Sequence, residues 1–216
     1  MARWAPEKKD QLEAIATEIL HNYNKGRATV AIDGRHGSGQ SEFADGLSEA
    51  LRLTGAHVFR ASIDDFFRPR RDRERDGWLD GTAHYREAYD YSLLRRVLID
   101  PFRTGGSTGF VLTGFDELRD QPVFQPKWMS AGFDAILIID GVFLNRPELA
   151  SLWNYSIWVT TPAQVPKVDD SRYDEQKRDV EADAAYIADA NPSEKATAII
   201  DNQDRDQPRR VFADSC

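Results

Sequence analysis

Apolar positions recur along this chain in two periods, and the switches between them mark the elements. Leu12, Ile15, Ile19 and Tyr23 share one stripe at helical spacing, which predicts an amphipathic helix over residues 6–24. The run Ala28-Thr29-Val30-Ala31-Ile32-Asp33 is continuous, apolar and β-branched, and predicts a buried strand. Phe43, Ala44, Leu47, Ala50 and Leu51 return to helical spacing, with Gly55 as a C-cap. A second strand is expected over 57–63, running into the acidic pair Asp64-Asp65. The polar stretch 66–88 is longer than ordinary connections and predicts a functional loop. A helix over 91–98 is expected to stop at Pro101.

Farther on, 110–113 and 122–124 are expected to pair as a small hairpin around 116–120. Residues 135–139 form the most apolar run and predict a central strand ending at Asp140-Gly141. A short helix over 147–152, a strand over 155–159, a charged helix over 169–190 and a strand over 198–200 complete the pattern. Alternation of this kind predicts an α/β fold in three layers, a mostly parallel central sheet with helices on both faces. The expected organisation is an N-terminal helical segment over 1–27, one domain over 28–202, and a loose polar tail over 203–216. No internal repeat is visible.

Composition narrows the class. A chain of 216 residues suits one domain with a real core. A net charge of -8 and a pI near 5.1 argue against nucleic acid as a general partner. The basic run Arg68, Arg70, Arg71, Arg73, Arg75 is a local exception. The one cysteine, Cys216, excludes an intrachain disulfide. No apolar span approaches the roughly 20 residues that cross a membrane, and the start does not read as a signal peptide. The expectation is a cytoplasmic protein with no membrane partner.

Between the first strand and the helix after it lies Gly34-Arg35-His36-Gly37-Ser38-Gly39-Gln40-Ser41. The spacing is that of a P-loop, with glutamine where the lysine belongs. Glycines 34, 37 and 39 let successive N–H groups turn toward one anion, and the helix start adds its free N–H groups and dipole. Gly34, Gly37, Ser38, Gly39, Gln40 and Ser41 are therefore the expected phosphate site, with the Ser41 hydroxyl on Mg²⁺. Asp33, Asp64, Asp65 and Asp140 fall at strand ends, where ligands collect in such sheets. Residues there serve chemistry or cap turns. Beside a P-loop, Asp64 or Asp65 suits an acceptor hydroxyl and Asp140 the metal.

These segments together resemble the uridine kinase-like family of P-loop nucleoside kinases. The likeness rests on Ala31-Ile32-Asp33-Gly34 with the loop, Ser62-Ile63-Asp64-Asp65-Phe66-Phe67, Tyr85-Arg86-Glu87-Ala88-Tyr89-Asp90-Tyr91, Ile138 to Leu144, Arg146 to Leu149 and Ile200-Asp201-Asn202. The resemblance implies a P-loop NTPase fold with ATP and Mg²⁺ as cofactors. It implies Asp64 as the base for a ribose 5′-hydroxyl, Asp90 holding ribose hydroxyls beside Tyr85, and Phe115 near a nucleobase. Glu117 stands where relatives often carry histidine. Relatives close arginines over the phosphates; here Arg172 and Arg178 are the candidates, set among aspartates. The implied function is ATP-dependent phosphotransfer to a hydroxyl of a nucleoside or similar small molecule. The alternative is a weak or inactive homologue that binds nucleotide as a regulatory module. The acceptor's identity stays open, and so does assembly, including a homo-oligomer.

Overall fold

A computed structural model of the protein describes residues 7–23 and 25–212. Pro6, Asn24 and Cys216 lie outside them. Helix α1 (Lys8–Tyr23) buries Leu12, Ile15 and Ile19 of the expected stripe together with Ala16, while Tyr23 is half-buried. Strand β1 (Ala28–Gly34) is buried throughout and leads through the glycine loop into α2 (Gln40–Leu53). Strand β2 (Val58–Ser62) ends in a capping box: the Ser62 hydroxyl accepts from Asp64 N–H, and Asp65 accepts from Ser62 N–H.

The stretch 66–88 is not an open loop. It folds into α3 (Arg70–Arg75) and α4 (Gly81–Glu87), with Asp80 capping α4 by accepting from Ala83 N–H at 2.7 Å. Nor does Pro101 stop the next helix. α5 (Tyr91–Leu94) continues through a π turn (Arg95–Ile99) into α6 (Asp100–Thr104). Pro101 has no N–H for the Val97 carbonyl, and Val111 N–H donates to it instead at 2.9 Å. The hairpin is smaller than expected, β3 (Phe115–Asp116) against β4 (Gln121–Pro122), because Phe110 bridges Met129.

Strand β5 (Ile136–Gly141), α7 (Pro147–Ala150) and β6 (Tyr155–Thr160) follow in the chain. β5 is interior but one place in from the β2 edge, and β1 and β6 hold the centre that the most apolar run was expected to take. The charged helix α8 (Tyr173–Ala190), α9 (Pro192–Lys195), β7 (Ala198–Asp201) and β8 (Arg209–Val211) finish the chain. The sheet order is β2-β5-β1-β6-β7-β8, parallel except for the antiparallel edge β7–β8. That edge comes from the segment expected as a loose tail.

Alternate residues of the central strands feed two cores, as the pleat requires. Val30, Ile32 and Ile138 pack with α1 and α2; Ala31, Leu137 and Ile139 pack with residues of α4 to α8. The three expected layers result. The carboxyl ends of β1, β2 and β5 meet at Gly34, Ser62 and Gly141, and there the site forms.

Candidate active site

The glycine loop has the backbone its sequence calls for. Gly37 and Gly39 adopt φ of 73° and 85°, and Gly39 opens α2 with no side-chain cap. Among the described residues, the N–H groups of Gly37, Gly39, Gln40 and Ser41 have no protein acceptor, which leaves a rim of open donors. Asp33 braces the loop from behind. Fully buried, it accepts from Gly34 N–H (2.8 Å), Asn145 N–H (2.9 Å), Asn145 Nδ2 (2.8 Å) and the Tyr186 hydroxyl. Burial pushes its carboxyl up to about 6, against these bonds. Asn202 Nδ2 donates to Ser38 O at 2.8 Å from β7's end.

Gln40 is turned into the loop. Its side chain is buried, its Oε1 accepts from Ser38 Oγ at 2.8 Å, and its Nε2 donates to Arg35 O at 3.4 Å. The amide is thereby spent inside the loop, where a phosphate oxygen was its expected acceptor.

Ser41 and Asp140 come together as the motif predicts, the Ser41 hydroxyl donating to Asp140 Oδ2. The other oxygen, Oδ1, accepts from Arg60 Nη1. Arg60 also donates to Ser41 O at 3.3 Å and to Ala61 O at 2.6 Å, with Nε 3.2 Å from Asp45. Ser41 and Asp140 are the Mg²⁺ ligands expected from the P-loop motif, but in this arrangement they do not fit a divalent ion, because the Arg60 guanidinium already holds Asp140 Oδ1 and sets a like charge beside the site.

Beside the loop opens a cleft of about 430 Å³ lined by His36, Gly37, Gly39, Gln40, Ser41, Glu42, Asp64, Tyr89, Gly141, Val142 and Arg205. Asp64 is exposed in it and accepts from the Tyr89 hydroxyl at 2.9 Å. Partial desolvation raises its carboxyl above the ordinary range; the Tyr89 bond opposes this, and the charges of Asp140 and Glu117 add to it. The other expected contacts lie elsewhere. Asp90 caps α5, accepting from Leu93 N–H at 2.8 Å. The Tyr85 hydroxyl donates to Asp189 at 2.6 Å, under the Arg146 guanidinium. Phe115 is buried in its hairpin. None of these three lines the cleft.

Of the two arginines expected in a lid, Arg172 is exposed and lies 3.6 Å from Asp170. Arg178 is buried, with its guanidinium 3.9 Å above Trp78 and hydrogen-bonded to Asp179. What covers the loop instead is Gln164, donating to His36 O at 3.1 Å. His36 is tied to α8 by Nδ1 at 2.8 Å from Asp183, which also accepts its N–H at 3.2 Å. Burial lowers the His36 pKa, but Asp183 and Asp179 more than reverse this, and the imidazole is raised above its ordinary 6.5. His84 is pushed down to about 2 by burial and by Arg178, and stays neutral. His36, His84 and Asp179 bring ligand atoms within 4.8 Å of one another, but the Arg178 guanidinium on Asp179 opposes a cation there.

Tyr89, Arg60 and Arg205 were missed from the sequence. Tyr89 sits in the quoted motif, but it lies past the end of α4 in a bridge to Phe67, so a helical count from Tyr85 does not give its direction. Arg60 is a cation inside an otherwise apolar strand, a signal that was available. Arg205 reaches back from beyond β7 to donate to Gly37 O at 3.1 Å, and no local pattern announces that contact.

No family model matches the chain, and no curated protein matches it. Among solved structures it is similar to a possible uridine kinase from Bacillus stearothermophilus, with TM-score 0.75, 23% identity, and 89% of this chain and 98% of that one covered. It is also similar to a protein from Silicibacter sp. TM1040 assigned as a fructose transport system kinase, with TM-score 0.58, 23% identity, and coverages of 86% and 94%. At these identities the likeness is one of fold, and the chain has the α/β P-loop NTPase fold.

Proposed function

We propose that the cleft binds the phosphates of a nucleoside triphosphate such as ATP and that the chain is a slow, uridine kinase-like phosphotransferase to a hydroxyl of a small molecule. The observation that carries this is the placement of Asp64 in the same cleft as the open N–H groups of Gly37 to Ser41. An acceptor hydroxyl lying between them donates its proton to Asp64, and its oxygen attacks the terminal phosphorus. The raised Asp64 carboxyl brings its basicity toward that of a working general base. Tyr89 fixes the direction of its free oxygen. The bond from phosphorus to the bridging oxygen breaks, and the charge stays on the diphosphate, held by the loop and the start of α2.

Transfer is slow because Gln40 brings no charge. Loss of one such stabiliser typically costs about 10²–10³ in rate. Arg205 brings a cation to Gly37 but is half-exposed and lies 3.7 Å from Glu42, so it compensates in part. The inward-turned Gln40 amide favours a second reading, nucleotide binding without turnover.

Turnover of ATP with a panel of nucleosides and small polyols separates the two. The first reading expects measurable turnover by the natural chain, a gain of about 10²-fold in Gln40→Lys, and loss in Asp64→Asn with nucleotide binding retained. Turnover only in Gln40→Lys makes the natural chain a binding module. Undiminished turnover in Asp64→Asn removes Asp64 from its role.

A further inference from the structure

Arg60 stands on β2 with its side chain mostly covered, and reaches the N-terminus of α2. Its guanidinium donates to three acceptors, Asp140 on β5, the Ser41 carbonyl on α2 and Ala61 O on its own strand, and its Nε lies 3.2 Å from Asp45 on α2 as an ion pair without a hydrogen bond. Asp140 is 1% exposed, and a carboxylate so buried requires a compensating charge. Beside a P-loop serine the ordinary compensation is a divalent cation held by that serine and that acid. Here the serine hydroxyl donates to one oxygen of Asp140 and the guanidinium to the other. A divalent ion would have to sit beside a like charge, or first displace a guanidinium held by three hydrogen bonds and an ion pair.

We propose that Arg60 is a built-in substitute for the divalent cation. On the reading that the cleft takes a nucleotide, the chain binds its phosphates with a positive charge already in place behind Ser41, and added Mg²⁺ contributes little. The cation missing at position 40 is then one of two departures, and the second replaces a dissociable ion with a fixed side chain. The register explains why β2 supplies it. Arg60 pairs with Ile138 and Ser62 with Asp140, so the side chain two residues before the strand end lies on the same face and reaches the acid.

The test uses Mn²⁺ as probe, with the full chain and no nucleotide, reading free Mn²⁺ by electron paramagnetic resonance. Arg60→Met is expected to bind Mn²⁺ at least about tenfold more tightly than the natural chain, a difference of about 1.4 kcal/mol. The double variant Arg60→Met/Asp140→Asn is expected to lose that gain. If Arg60→Met does not fold, Arg60→Gln serves in its place. Equal Mn²⁺ affinity in the natural chain and the variant overturns the proposal. In a second arm, ATP affinity is measured by calorimetry in EDTA and in Mg²⁺. The natural chain is expected to change by less than about threefold and Arg60→Met to tighten by more than about tenfold on adding Mg²⁺. Tenfold tightening in the natural chain contradicts the proposal. Absence of ATP binding in both buffers contradicts the nucleotide reading instead, and the Mn²⁺ comparison still decides the role of Arg60.

Discussion

At the scale of single residues, the site is a set of charges whose partners decide what they do. His36 belongs to the glycine loop, yet its ring and its N–H are both committed to Asp183 on α8. Because its folded pKa is raised, the stability it contributes is complete below about 6.5 and is lost as pH rises through the raised value. Asp183→Asn removes the largest raising contribution and leaves the burial that lowers it. NMR titration of the imidazole is expected to show a midpoint above 6.5 in the natural chain and below 6.5 in Asp183→Asn. Equal midpoints would show that the bond does not hold the proton. The P-loop was legible at this scale because its glycines are spaced by the geometry of anion binding. The aromatic and acidic candidates were less so. Asp90 and Tyr85 have the chemistry of ligand contacts, but a capping bond and a hydroxyl–carboxylate bond use the same groups inside the protein.

Elements were legible where a period ran long enough to declare itself. α1, α2, α8 and the strands β1, β5 and β6 fall close to their expected ranges because each buries a regular stripe or a continuous apolar run. Residues 66–88 hid two helices because α3 and α4 are short and held by packing, with little amphipathic pattern of their own. α4 is pressed against α8 at Gly81, where an added Cβ would lie 2.7 Å from Ala182 N and closer still to the Glu181 side chain. Gly81→Ala is therefore expected to cost about 1–3 kcal/mol, as overpacking does. Urea denaturation measures it, and a change below about 0.5 kcal/mol would mean that the helices part without cost.

Across the whole molecule, the strand order brings three carboxyl ends together and sets the loop, Asp64 and Asp140 around one point. That convergence was readable in outline, since alternating strands and helices place ligands at that end of the sheet. The edge was not. β8 returns antiparallel from a polar segment, and with it comes Arg205, whose contact with the loop spans most of the chain's length. Gln40 and Arg60, the two proposed departures from the usual phosphate machinery, lie in the same small region and leave the loop backbone with its donors open. Phosphate binding is thus the property to test first. The direct measurement is a calorimetric titration of ATP into the natural chain, with Gly39→Val as control. Gly39 has φ of 85°, and a Cβ there would lie 2.7 Å from Asn202 Nδ2. Saturable binding in the natural chain, weakened by at least about tenfold in Gly39→Val, is the predicted result; no saturable heat in the natural chain, or equal affinity in both, would contradict the account.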